Sequence, residues 1–289
     1  MLVGERRSPL DPLPFRMSVP SHPVWAQLRT AAARGPIVVA HRGDSRHHPE
    51  NTLAAFRAAS AAGVAMQEFD VRASRDGELI CLHDQCLDRT TDAASVLGPG
   101  ALVERVDLAV LRSLDAGAWL GRPHCGEGLP TLAEALRIMA PPCVPMIEHK
   151  AGAATAYVAA LRANGRLEQC IVQSFDWAFV AAVANLEPRL AVALLGPTAR
   201  HQHLDPAVLS AAAACGAGMV HWQADLLTAA EVDAAHAAGL LVCTYTTDHE
   251  LGWFGGRGLG VDAMCTNDPM AMLDWRRRCS MDSKLPPNG

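Results

Sequence analysis

Two histidines, His41 and His83, and three carboxylates, Glu68, Asp70 and Glu148, sit at the ends of short apolar stretches, where a structural role alone does not explain them. Histidine has the unperturbed side-chain pKa nearest neutrality, so a pair of them can supply a general base and a general acid. Three carboxylates make an all-oxygen site that suits Mg2+ or Ca2+, whereas zinc would favour nitrogen or sulfur. Arg42 can clamp an oxyanion with two parallel bonds, and Lys150 adds a point charge. A phosphodiester needs all of these at once: charge neutralisation at phosphorus, an activated nucleophile and a proton for a poor alkoxide leaving group. The residues therefore point to metal-assisted phosphodiester hydrolysis, with Gln173 and Tyr245 added as substrate contacts.

Each residue also has a plainer reading. A single histidine is more often bonded to backbone at a core or rim, and Glu68 with Asp70 could simply pair with Arg42 and Lys150. The third carboxylate favours metal. Glu50 and Asn51 fall at a loop-to-helix start, so capping or orienting a neighbour suits them better than direct ligation. Asp84, adjacent to His83, belongs with them. Arg46, His47 and His48 read as a solvated loop or as substrate contacts. His201, His203 and His221 lack a carboxylate at metal spacing and receive no function.

Placing these groups together requires an alternating α/β chain. Apolar strands are expected at 36–42, 66–72, 79–84, 144–150, 170–175, 190–196, 218–222, 240–247 and 261–266. Helices lie between them. Asn51 or Thr52 starts one that stops at Gly63; Thr131 with Glu134 and Thr228 with Glu231 form capping boxes; Asp205-Pro206 and Asp268-Pro269 place an N-cap before a helical proline. Nine strands exceed an eightfold barrel by one, but parallel neighbours need a crossover of about a dozen residues or more. The 72–79 connection is too short and contains Asp76-Gly77, so 79–84 should return antiparallel as a hairpin. If Asp76 and Gly77 are its two turn residues, Asp70 lies opposite His83. Eight parallel strands remain, giving a (β/α)8 TIM barrel with a β-hairpin and a short insertion after the second strand, and its site at the C-terminal strand ends.

The domain reading is one barrel over 35–278, a peripheral N-terminal extension over 1–34 and a C-terminal tail over 279–289. The 85–130 insertion is too long for an ordinary connection and should cap the mouth, touching the alcohol part of a substrate, with Trp119 packed beneath it. A net charge of −5 without a basic stripe argues against nucleic acid. No apolar run is long enough for stable membrane insertion, and 1–20 lacks a secretory apolar core. Nine unpaired-looking cysteines agree with a cytoplasmic location. Nothing in the sequence fixes an oligomeric state.

The ordered motifs resemble the glycerophosphodiester phosphodiesterase family: His41-Arg42-Gly43, Pro49-Glu50-Asn51-Thr52, Glu68-x-Asp70-Val71, Asp76-Gly77, His83-Asp84, Leu87-x-Arg89-Thr90-Thr91, Ala116-Gly117-Ala118-Trp119, the run 126–132, Glu148-x-Lys150 and Gln173-Ser174-Phe175. The resemblance spans about 36–272 and implies a TIM barrel that hydrolyses glycerophosphodiesters to sn-glycerol 3-phosphate and an alcohol with a divalent cation. It leaves open which histidine is the acid, and whether water or the neighbouring glycerol hydroxyl attacks. Lysophospholipase D or phosphoinositide-directed chemistry on the same fold, and a non-catalytic binding barrel, are the competing readings. The chain departs from the family pattern at Ser74, His149, Tyr245 and 260–267, the last ending Thr266-Asn267 where Thr-Asp is usual; these departures are expected to touch the substrate side.

Overall fold

The computed structural model describes residues 22–282. All nine expected strands form: β1 Ile37–His41, β2 Met66–Ala73, β3 Leu79–Cys81, β4 Val144–His149, β5 Ile171–Ser174, β6 Ala191–Gly196, β7 Met219–Gln223, β8 Leu241–Tyr245 and β9 Ala263–Thr266. Their order is β1-β9-β8-β7-β6-β5-β4-β2-β3, and β1 also pairs with β2, which closes eight parallel strands into a TIM barrel. Only β3 is antiparallel, lying against β2 as expected. Both capping boxes are present, and Asp205 accepts from Ala207 N and Val208 N.

Strand alternation divides the apolar residues into two layers. Val38, Phe69, Ile147 and Val172 face the surrounding helices. Val39, Met66, Met146 and Ile171 face inward and fill the barrel. The lower end of this interior is closed by helix α1, Pro23–Ala32, whose Val24, Trp25 and Leu28 are buried among the same inward residues. The expectation of a peripheral 1–34 therefore fails for 23–32, because these apolar groups lie on one helical face and shield the barrel floor from water. Residues 1–21 and 283–289, including most of the expected tail, lie outside the described residues.

The hairpin is shifted by one residue from the expected register. Val71 pairs with Cys81 and Arg72 with Ile80, which sets Leu82, not His83, across from Asp70. Ser74 is the cause. Its Oγ accepts from Glu78 N, while its carbonyl accepts from Gly77 N, so the loop holds three residues, Arg75, Asp76 and Gly77. Gly77 has φ +85°, a left-handed conformation that costs glycine little. Pairing ends where Leu82 N donates to the Asp70 carbonyl, and the chain bends at His83.

Between β3 and β4, the 85–130 segment carries short helical turns around its own apolar cluster, which includes Leu87, Val103, Leu111 and Leu114. Among the described residues, no helix is long and apolar enough to cross a membrane.

Candidate active site

Inward positions near the upper strand ends carry polar groups where lower ones carry Met, Val and Ile. In the parallel register His41 pairs with Glu68, Asp70 with Glu148, and Glu148 with Gln173. One oxygen each from Glu68, Asp70 and Glu148 lies within 4.8 Å of the others, and all three residues are buried. A cavity of about 230 Å³ opens over them, lined by His41, Arg42, Glu68, His83, Glu148, Lys150 and Tyr245 among others. His83 thus reaches the mouth despite the shifted register. The bend carries it there, and Arg72 Nε holds its carbonyl at 2.8 Å.

Arg42 is positioned by its backbone. It adopts φ +59°, its N–H donates to the Glu68 carbonyl at 2.7 Å, and its own carbonyl accepts from Asn51 N at 3.1 Å. Non-glycine residues in this conformation carry roughly 1–3 kcal/mol of strain and persist where the surroundings overdetermine them. The next residue must be glycine, because at φ +81° a Cβ on Gly43 would lie 2.7 Å from the Ala55 carbonyl carbon in helix α2, Leu53–Ala61. The Arg42 guanidinium meets Glu50 Oε1 at 2.8 Å and Asp70 Oδ2 at 3.1 Å. Lys150 Nζ bonds Glu148 and lies 3.3 Å from Asp70 Oδ1.

The surrounding groups hold these in place. Asn51 Nδ2 donates to Asp70 Oδ2 at 2.9 Å, and its Oδ1 accepts from Asp70 N at 3.1 Å. His83 Nδ1 lies 2.6 Å from Asp84 Oδ1, and Arg89 ties Asp84 to Glu50. His41 Nδ1 lies 2.7 Å from Asn267 Oδ1, and its Nε2 is 3.9 Å from Glu68 Oε2.

With this geometry established, the sequence model of the glycerophosphoryl diester phosphodiesterase family matches residues 41–271. The chain belongs to that family. A glycerophosphodiester phosphodiesterase of Caldanaerobacter subterraneus is 34% identical over 166 residues, covering 55% of this chain and 66% of that protein. One from Bacillus subtilis is 29% identical over 254 residues, 81% of this chain and 84% of its own. An Oleispira antarctica phosphodiesterase, solved with its product sn-glycerol-3-phosphate, superposes with a TM-score of 0.75 at 27% identity, covering 86% of this chain and 97% of its own. The protein is thus a phosphodiester-hydrolysing enzyme of TIM-barrel fold.

The electrostatics of this phosphodiesterase favour a cation at the carboxylates. Both Glu68 oxygens are buried without a hydrogen-bond partner. Burial, followed by the charges of Asp70 and Glu148, pushes Glu68 well above the ordinary range. Burial and Asp70 raise Glu148 to about 7 against the pull of Lys150. Burial also acts to raise Asp70, but Arg42, Lys150 and His83 outweigh it and hold its carboxyl at about 2. Crowded, underbonded oxygens of this kind fit an all-oxygen divalent cation site. Burial and then Arg42 lower His41 to about 4; burial lowers His83 as well, with Asp70 opposing.

Three sequence expectations require correction, and one contributing residue carried no expectation. Gln173 is fully buried, and its Oε1 meets His221 Nδ1 at 3.0 Å, so His221 lines the cavity where Gln173 was expected. Inward alternation from Met219 gives the signal for His221, just as Met66 does for Glu68. Trp119 is not packed beneath the insertion: it is 41% exposed and lines a second cavity of about 470 Å³ with His41, Arg42, Arg46 and Asp248. Asn267, read as a substrate-side departure, contacts His41 directly. Arg72, not singled out in the sequence, holds the His83 backbone. Tyr245 does line the mouth, its hydroxyl donating to the Gly196 carbonyl at 2.8 Å. His201 stacks on Trp177, and His203 lies 3.3 Å from Glu231, both apart from the site.

Proposed function

We propose that this enzyme hydrolyses glycerophosphodiesters, the deacylated phospholipids, to sn-glycerol 3-phosphate and an alcohol, using His41 and His83 as its proton-transfer pair. The observation that carries the reading is the set of three buried carboxylates within 4.8 Å: Glu68 and Glu148 line one cavity with both histidines, Arg42 and Lys150, and Asp70 is held against Arg42 and Lys150. Glu68, Asp70 and Glu148 would hold Mg2+ or Ca2+, which when bound neutralises charge on the phosphate and lowers the pKa of a nearby hydroxyl. Arg42 and Lys150 supply the remaining positive charge. Each is anchored on a carboxylate, so little side-chain entropy is left to lose when a phosphate arrives. Both histidines are biased toward the neutral form, in which one ring nitrogen accepts a proton and the other donates. Nine free cysteines support a reducing, cytoplasmic setting.

Purified protein assayed on glycerophosphocholine, glycerophosphoethanolamine and lysophosphatidylcholine, with and without EDTA, tests this reading. Turnover of the first two, abolished by EDTA and restored by Mg2+ or Ca2+, is expected. Metal-independent turnover, or none on any diester, overturns it. His41→Ala and His83→Ala should each lower kcat by about 10²–10⁴-fold while divalent-cation binding, followed by calorimetry, persists.

A further inference from the structure

The side chain that orients His41 is an amide, and an amide can present either its oxygen or its nitrogen. Which one faces His41 is set by a second residue. Asp248 Oδ2 accepts from Asn267 Nδ2 at 2.7 Å, and Asp248 Oδ1 accepts from Asn267 N at 2.7 Å and from Thr266 Oγ1 at 3.1 Å. A carboxylate only accepts, so it turns the NH2 of Asn267 toward itself and leaves Oδ1 for His41. Ser45 Oγ lies 2.9 Å from the same Oδ1 and 2.7 Å from the His41 carbonyl, and its single proton can serve either acceptor; its donation to Oδ1 matches this orientation. An amide oxygen also only accepts, so His41 must carry its proton on Nδ1. That leaves Nε2, on the Glu68 side of the ring, as the atom free to exchange a proton.

We infer that Asp248 is a positioning residue of this enzyme: acting through the Asn267 amide, it fixes the tautomer and ring orientation of His41. The inference rests on the proposed role of His41. Asp248 stands just past β8 and Asn267 just past β9, so the two strands preceding β1 around the barrel set the histidine at the end of β1. The carboxylate has no contact with Glu68, Asp70 or Glu148 in this arrangement, and its effect passes through one amide.

Kinetics and histidine NMR test the relay together. Asn267→Ala and Asp248→Ala should each lower kcat about tenfold to a hundredfold with KM little changed. The double variant should be no slower than Asn267→Ala alone, since Asp248 acts only through that amide. Asp248→Asn keeps one acceptor oxygen where Asn267 Nδ2 and Asn267 N need two, so it should recover only part of the rate. In protein carrying 15N-labelled histidine, His41 should be a single Nδ1–H tautomer in the wild type and a mixture in the alanine variants. Asn267→Ala leaves the Asp248 bond to the backbone amide intact, so it reports even if Asp248→Ala fails to fold. Additive losses in the double variant, or an unchanged His41 tautomer in Asn267→Ala, overturn the relay. Full activity in His41→Ala would instead overturn the catalytic reading, whereas an inactive His41→Ala beside wild-type Asn267→Ala and Asp248→Ala would sink the relay alone.

Discussion

The floor and the mouth of this barrel are built on the same strands by opposite rules. At the floor, Val24, Trp25 and Leu28 from α1 meet Ile37, Val39 and Met66, and every group is apolar and buried. At the mouth, a few residues farther along the same strands, Glu68, Asp70 and Glu148 are equally buried but crowd like charges together, and Arg42 holds a strained backbone. Burial of apolar surface stabilises the first region, while buried, incompletely bonded charge destabilises the second. A parallel barrel can therefore separate what holds it together from what makes it work, along the length of one strand.

Substitutions in the two regions should have opposite effects. The largest is expected at the mouth: Glu68→Gln should remove most activity, yet raise the metal-free stability by about 0.5–2 kcal/mol by relieving carboxylate crowding. Denaturant melts beside the diester assay would show this, and a destabilised Glu68→Gln would break the contrast. At the floor, Trp25→Ala should cost about 3–5 kcal/mol while leaving kcat of the folded fraction unchanged. Loss of kcat in proportion to stability would mean that the regions are not separable.

pH gives a subtler effect. The carboxyl of Glu148 rises from 4.5 to about 7 on folding, so the folded state binds more protons than the unfolded one between these values. Metal-free stability should accordingly fall as pH rises through that window, whereas the Asp70 contribution, held at about 2, is lost only under stronger acid. A cation needs the deprotonated carboxylates, so the Tm increase on adding Mg2+ or Ca2+ should be larger at pH 8 than at pH 5. An equal shift at both values would remove these carboxylates as ligands. The smallest effect is expected from Arg72→Ala, which frees the His83 carbonyl without touching the cavity: kcat should drop by about tenfold. Steady-state kinetics on one diester would measure it.

What the sequence revealed followed from local periodicity. Apolar runs ending in His41, Asp70 or Glu148 declare both a strand and the polar end of its inward face, so the barrel and most of the mouth were legible. The register of the hairpin was not, because one side-chain bond from Ser74 to Glu78 N adds a residue to the turn. The helix α1 was hidden by its brevity and its proline-rich surroundings, although Val24, Trp25 and Leu28 have helical spacing. Asn267 and Asp248 were invisible as partners of His41 because no local pattern connects residues so far apart in the chain.

The bond between His41 and Asn267 joins residues 226 positions apart. During synthesis, the carboxylates of β2 and β4 emerge long before the last strand, yet the His41 ring gains its Asn267 partner only when β9 docks beside β1. A chain released early, or one whose barrel seam has not closed, would carry the proposed metal ligands without the Asn267 bond that holds the His41 ring. Regain of turnover after refolding thus reports the final closure of the barrel, and incomplete chains should be silent toward the diesters around them.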